Sequence, residues 1–187
     1  VILYLHGFRS APASHKAQAL AARMTERGSG QQFVCPQLPV SPSAAIALAN
    51  DIIANVDDNV TVIGSSLGGF YATHLAEQHG LNAVLVNPAV VAHLSLAELV
   101  GHHTNLYTGE AFDFTVQHIE ELRALDVERI TRPERYWLLA ESGDEVLDYR
   151  LAVAKYVGAQ QSVLAGGDHS FTRWPAYLDR IIAFAGL

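Results

Sequence analysis

One short segment restricts the fold more than any other. Val60-Thr61-Val62-Ile63 is a β-branched run, and Gly64-Ser65-Ser66-Leu67-Gly68-Gly69-Phe70 follows it directly. A helical pattern then runs from Leu67 to His79 and stops at Gly80. The chain must therefore pass from strand to helix within a few residues. The G-x-S-x-G pattern centred on Ser66 suits that turn, because side chains two positions either side of the serine would collide. Such a turn projects the Ser66 hydroxyl into a crevice. It also aims the N–H groups of the next helix at any charge formed there. The segment is not a dinucleotide fingerprint, since G-x-G-x-x-G does not fit. It is not a phosphate loop of the Walker type, since no Lys follows. Ser65 is the competing serine. It holds the variable position and is expected to turn away from the crevice.

The same strand-helix alternation extends over most of the 187 residues. Candidate strands are Val1–Leu5, Phe33–Cys35, Val60–Ile63, Ala83–Val86, Arg135–Ala140 and Gln161–Leu164. Candidate helices are His15–Arg27, Pro42–Val56, Leu67–His79, Asp148–Val157 and Pro175–Ala185. Short β-branched strands alternating with helices predict about six parallel strands with helices on both faces, a three-layer α/β/α sandwich. The length suits one domain, residues 1–187. Residues 92–132 interrupt the rhythm. No good strand is evident there, and a helical run spans about Thr115 to Leu125. An insertion at this point lies over one end of the sheet. It is either a structural excursion or, as ligands bind at strand C-terminal ends, a cap over the site.

Composition narrows the partners. Half of the residues are hydrophobic, 17% are charged and the formal net charge is −7. No Lys/Arg run offers a footprint for nucleic acid, so none is expected as a partner. No apolar stretch approaches the ~18 residues needed to cross a bilayer. Cys35 is the only cysteine, so no intrachain disulfide forms, and a cytoplasmic location is the default expectation. Val1–Leu5 is expected to be a strand rather than part of a signal peptide. Oligomeric state is not legible.

A serine alcohol needs a base, and the base needs a carboxylate to fix its tautomer. Among nine histidines, His169 stands in Ala165-Gly166-Gly167-Asp168-His169-Ser170-Phe171, a loop just after the last strand. His6 is expected to be structural, and His74 and His79 to point away along the helix after Ser66. His102-His103 lacks partners at metal-site spacing, so no metal is expected. Asp144 follows Gly143 after strand Arg135–Ala140. Glu141, Glu145 and Asp148 are its rivals, and Asp168 is expected to diverge from its neighbour His169. The order Ser, Asp, His along the chain favours Asp144. Leu5-His6-Gly7-Phe8 turns a strand into a loop. Its Phe8 N–H, with that of Leu67, is expected to stabilise an oxyanion, at roughly 3 kcal/mol per donor. Arg9, Asn87 and Tyr107 are candidates for the pocket walls.

Together these pieces resemble the YqiA-type small bacterial esterases. They are Tyr4-Leu5-His6-Gly7-Phe8, Gly64 to Thr73, Val86-Asn87-Pro88-Ala89, Tyr107-Thr108-Gly109, Gly143 to Tyr149 and Gly166 to Phe171. The resemblance covers essentially the whole chain. It implies a compact α/β-hydrolase in which Ser66, Asp144 and His169 form a triad acting on acyl esters or thioesters. Such a triad needs no cofactor, and none is expected. Arg9 and Phe70 stand where such relatives are expected to carry Asn and Tyr. The rival readings are a thioesterase or amide hydrolase on the same triad, and a non-catalytic binding protein that keeps the scaffold.

Overall fold

The computed structural model describes residues 1–187. Six strands form one parallel sheet: β1 (Ile2–Leu5), β2 (Phe33–Val34), β3 (Thr61–Ser65), β4 (Asn82–Val86), β7 (Tyr136–Glu141) and β8 (Gln160–Leu164). Their order across the sheet is β2-β1-β3-β4-β7-β8. The chain goes outward from β1 to β2, then returns past β1 to β3. Connections leaving β1 and β3 thus diverge to opposite sides of the sheet, which opens a crevice at their C-terminal ends. Register aligns these ends, with Leu5 opposite Gly64.

Strand alternation sorts the core into two layers. Leu3, Leu5, Val62 and Leu85 face one side, and Ile2, Tyr4, Ile63 and Val84 the other. The first layer is covered by α2 (Pro42–Ala54), α3 (Leu67–His79), α5 (Val116–Ala124) and α6 (Tyr149–Lys155). The second is covered by α1 (His15–Glu26) and α7 (Leu178–Phe184). Each helix places apolar residues on the sheet, such as Ala17, Leu20 and Met24 of α1. The result is the expected three-layer α/β/α sandwich. Helix ends follow local chemistry. Ser41 accepts the Ala44 N–H at the start of α2, and Asp148 accepts the Arg150 N–H at the start of α6. The last helix begins later than expected, because Trp174–Tyr177 forms a 3₁₀ turn before it.

The reading of residues 92–132 needs a correction. They contain a short helix α4 (Ala92–Ser95) and an antiparallel hairpin, β5 (Gly101–Thr104) with β6 (Ala111–Phe114), ahead of α5. Both strands are largely exposed, so they lack the buried alternation that marks a strand in sequence. The hairpin packs on the loop after β1. Phe8 sits edge-on to Phe112 and Phe114, with ring centroids 5.7 and 5.0 Å away. The Arg9 Nε–H donates to Thr104 O, the Leu106 N–H to Arg9 O and the Asn105 amide to Ser10 O.

Candidate active site

Ser66 lies at the tip of the turn between β3 and α3, with φ 55° and ψ −120°. A non-glycine residue pays a steric penalty there, and the surroundings must enforce it. They do so from three sides. A Cβ on Gly64 would lie 2.0 Å from Gly68 O, and one on Gly68 would lie 1.9 Å from Leu5 O. The Ser66 N–H also donates to Val86 O, and Ser66 O accepts from Gly69 and Ala89. The two glycines of the motif are thus required by close backbone approach.

The loop after β8 brings His169 to this turn. Its Nε2 is 3.0 Å from Ser66 Oγ, across 103 positions of sequence. Its Nδ1 is 2.8 and 3.0 Å from the two Asp144 carboxylate oxygens. The Nδ1–H therefore donates to Asp144, which leaves Nε2 to accept the Ser66 hydroxyl. Burial opposes charge on Asp144, but bonds from His169 and from the Leu147 and Val146 N–H groups outweigh it. They hold its carboxyl below the usual range. The Asp144 side chain is 2% exposed, against 21% for His169.

The rival acids have other tasks. Glu145 accepts the His169 backbone N–H at 3.0 Å. Asp148 caps α6 and pairs with Arg150. Glu141 is fully buried and accepts the Asp168 N–H at 2.8 Å. His6 is buried, with its Nδ1–H on Gly7 O and its Nε2 accepting from the Leu38 N–H. Burial lowers its pKa, with the Gly7 carbonyl opposing, so the ring is neutral and structural. His74 contacts Leu125 O and His79 contacts Asn50, both on α3 beyond its first turn. Cys35 is no competing nucleophile, since burial pushes its thiol up to about 12. His102 pairs with Asp113 on the exposed hairpin, and no group of three His, Cys, Asp or Glu side chains is placed to hold a metal ion.

The N–H groups of Phe8 and Leu67 have no acceptor within the protein. Gly7 brings the Phe8 loop close, as a Cβ there would meet Ser66 Cβ at 3.3 Å. Two cavities meet at this loop. One, of about 630 Å³, is lined by Ser66, His169, Phe8 and Tyr107. The other, of about 260 Å³, is lined by Phe8, Leu67 and Arg9 with apolar walls from Leu38, Val40 and Phe112. Ser65 is buried, at the edge of the larger cavity.

Asn87 was expected in a pocket wall, and it lines neither cavity. It is a buried brace with φ 39°. Its amide donates to Asp168 O and His169 O at 3.0 and 3.2 Å, and its Oδ1 accepts the Glu141 N–H at 2.9 Å. It thereby ties the end of β4 to the end of β7, which leads into Asp144, and to the loop that carries His169. A polar residue directly after a buried strand was the only sequence signal for this role.

Comparison with known proteins decides the family. A family model described as "Uncharacterised protein family (UPF0227)" matches residues 1–186. The chain belongs to the UPF0227 family. This is the YqiA family that the motifs resemble. The UPF0227 protein is also similar in structure to an inferred hydrolase from Agrobacterium vitis S4, with TM-score 0.78, 19% identity and 98% of this chain and 87% of that chain covered. It is similar to mouse alpha/beta hydrolase domain-containing protein 10, with TM-score 0.72, 19% identity and coverage of 97% and 87%. An esterase domain from Rhodothermus marinus aligns with TM-score 0.71, 16% identity and coverage of 98% and 85%. At such identities the likeness speaks to the fold, which is that of the α/β hydrolases. No helix is long and apolar enough to cross a membrane.

Proposed function

We propose that the UPF0227 protein is a serine esterase that hydrolyses acyl esters through an acyl-enzyme. The observation that carries this reading is the unbroken relay from Ser66 Oγ through His169 to Asp144, with both steps at hydrogen-bond distance. Ser66 Oγ attacks the ester carbonyl while His169 Nε2 takes its proton. Asp144 stabilises the imidazolium. The free N–H groups of Phe8 and Leu67 receive the oxyanion. His169 then returns the proton to the leaving alcohol, and the C–O bond breaks. Water repeats the sequence, giving its proton to His169 and its oxygen to the acyl carbon, and Ser66 regains its hydrogen. The apolar walls of the smaller cavity suit an acyl chain, while the larger cavity receives the alcohol. The hairpin Gly101–Phe114, docked on Phe8 and Arg9, acts as a cap over the smaller cavity and holds the oxyanion loop in place.

Ser66→Ala tests this reading. It should lower p-nitrophenyl acetate turnover by a factor on the order of 10⁵ or more while leaving the thermal transition unchanged. Full residual turnover in the variant would refute it.

A further inference from the structure

Two hydroxyls beside the nucleophile have no task in ester hydrolysis itself. Tyr4 on β1 and Ser65 on β3 both line the larger cavity, which holds Ser66 and His169. Tyr4 lies opposite Ile63, and Ser65 is two positions further along β3, so both side chains take the same face of the sheet. Both are deeply buried, Tyr4 at 1% and Ser65 at 6% exposed. The buried side-chain atoms that are both sealed and unpaired belong to Ser14, His93, Glu141 and Asp168. The Tyr4 and Ser65 hydroxyls differ from these. Each has the other as its only neighbour in the protein for a hydrogen bond, and each opens to the cavity. A bond between two hydroxyls uses one donor and one lone pair, so a donor and several lone pairs are left for a ligand. The Tyr4 ring is fixed edge-on to Trp174 and tilted against Phe33, with centroids 6.3 and 6.4 Å away, so its hydroxyl is already in position. Burial pushes the phenol above its ordinary range and keeps it neutral. No carboxylate lines this cavity, and Lys16 in its wall already donates to Ser170 O at 2.7 Å.

We infer that Tyr4 and Ser65 form a subsite for a neutral hydroxyl on the alcohol half of the substrate, which makes acyl esters of diols or polyols the preferred class. The inference rests on the esterase reading and deepens it. A substrate hydroxyl there accepts from one of the pair and donates to the other, while the ester carbonyl lies at Ser66. An alcohol that carries a methyl group at the same place displaces water from the pair and offers no bond in return. The reaction itself is unchanged. The subsite selects which esters reach it.

The test uses two matched pairs of esters, 2-hydroxyethyl acetate with propyl acetate and 3-hydroxypropyl acetate with butyl acetate. Each rate is normalised to hydroxide-catalysed hydrolysis. In at least one pair the hydroxylated ester should exceed its alkyl partner in kcat/KM by about fivefold or more, the effect of one hydrogen bond between neutral groups. Which pair does so tells how far the subsite lies from the ester oxygen. A smaller ratio in both pairs overturns the subsite. The ratio should fall by about threefold or more in Tyr4→Phe or in Ser65→Ala, as one partner is lost. Smaller falls in both variants overturn it as well. A merely structural role for either residue would lower both esters together and leave the ratio unmoved. The wild-type comparison decides even if a variant fails to fold. Failure of the esterase reading would look different: neither the hydroxylated nor the alkyl esters would turn over.

Discussion

The interior of the sheet and its C-terminal rim are built on opposite terms. Within β1, β4 and β7 nearly every side chain is apolar and fully buried, and the backbone is regular. At the rim, all four non-glycine residues with positive φ follow strands of the main sheet: Arg9 after β1, Ser66 after β3, Asn87 after β4 and Phe171 after β8. Buried polar atoms without a hydrogen-bond partner lie there too, on Ser14 and Asp168, and on Glu141, whose Oε1 has only the Arg173 guanidinium at 3.5 Å. Strain and unsatisfied polarity persist only where the surroundings over-determine them. The packed interior supplies that rigidity, and the rim uses it to hold reactive geometry. The two regions should therefore respond differently to substitution.

The largest effect belongs to the rim. Asp144→Asn should keep the fold but lower kcat by about 10⁴, because the amide no longer fixes the His169 tautomer. Steady-state kinetics with a p-nitrophenyl ester checks this. The same variant has a pH signature. The folded pKa of Asp144 lies below its ordinary value. Its contribution to stability is therefore complete above about pH 4 and is lost as pH falls through the lowered value. The stability gap between wild type and Asp144→Asn should shrink on acidification, as denaturant titrations at several pH values would show.

The interior should behave in the reverse way. Leu85 is fully buried in β4. Leu85→Ala should destabilise by about 3 kcal/mol, read as a lower urea midpoint, while the protein that remains folded keeps its kcat. A large fall in kcat without loss of stability would blur the division between the regions. The smallest effect has the opposite sign. Ser66→Gly relieves the positive φ and should stabilise by about 1 kcal/mol, with activity abolished. An unchanged or lower midpoint would mean that the turn stores no strain.

The division also explains what was legible in the sequence. β-branched runs and helix punctuation follow from burial, so the sandwich could be read from Val60–Ile63, Ala83–Val86 and their counterparts. Ser66 was legible because the turn needs Gly64 and Gly68 for steric reasons. His169 and Asp144 were legible by their places after strands. The hairpin at Gly101–Phe114 was not, since its exposed strands, carrying His102 and His103, obey no burial pattern. Asn87 was misplaced for a related reason. Its role depends on three backbone groups from distant strands and loops, and no local spacing announces them. Ser14 stands at the N-cap position of α1, and only the structure shows that its hydroxyl caps nothing.

Labelling with a fluorophosphonate probe, followed by peptide mass mapping, tests the central claim most directly. The geometry predicts one adduct per chain, on the peptide that contains Ser66, lost in Ser66→Ala and strongly slowed in His169→Ala. No adduct on the wild-type protein, or an adduct that persists in Ser66→Ala, would contradict it.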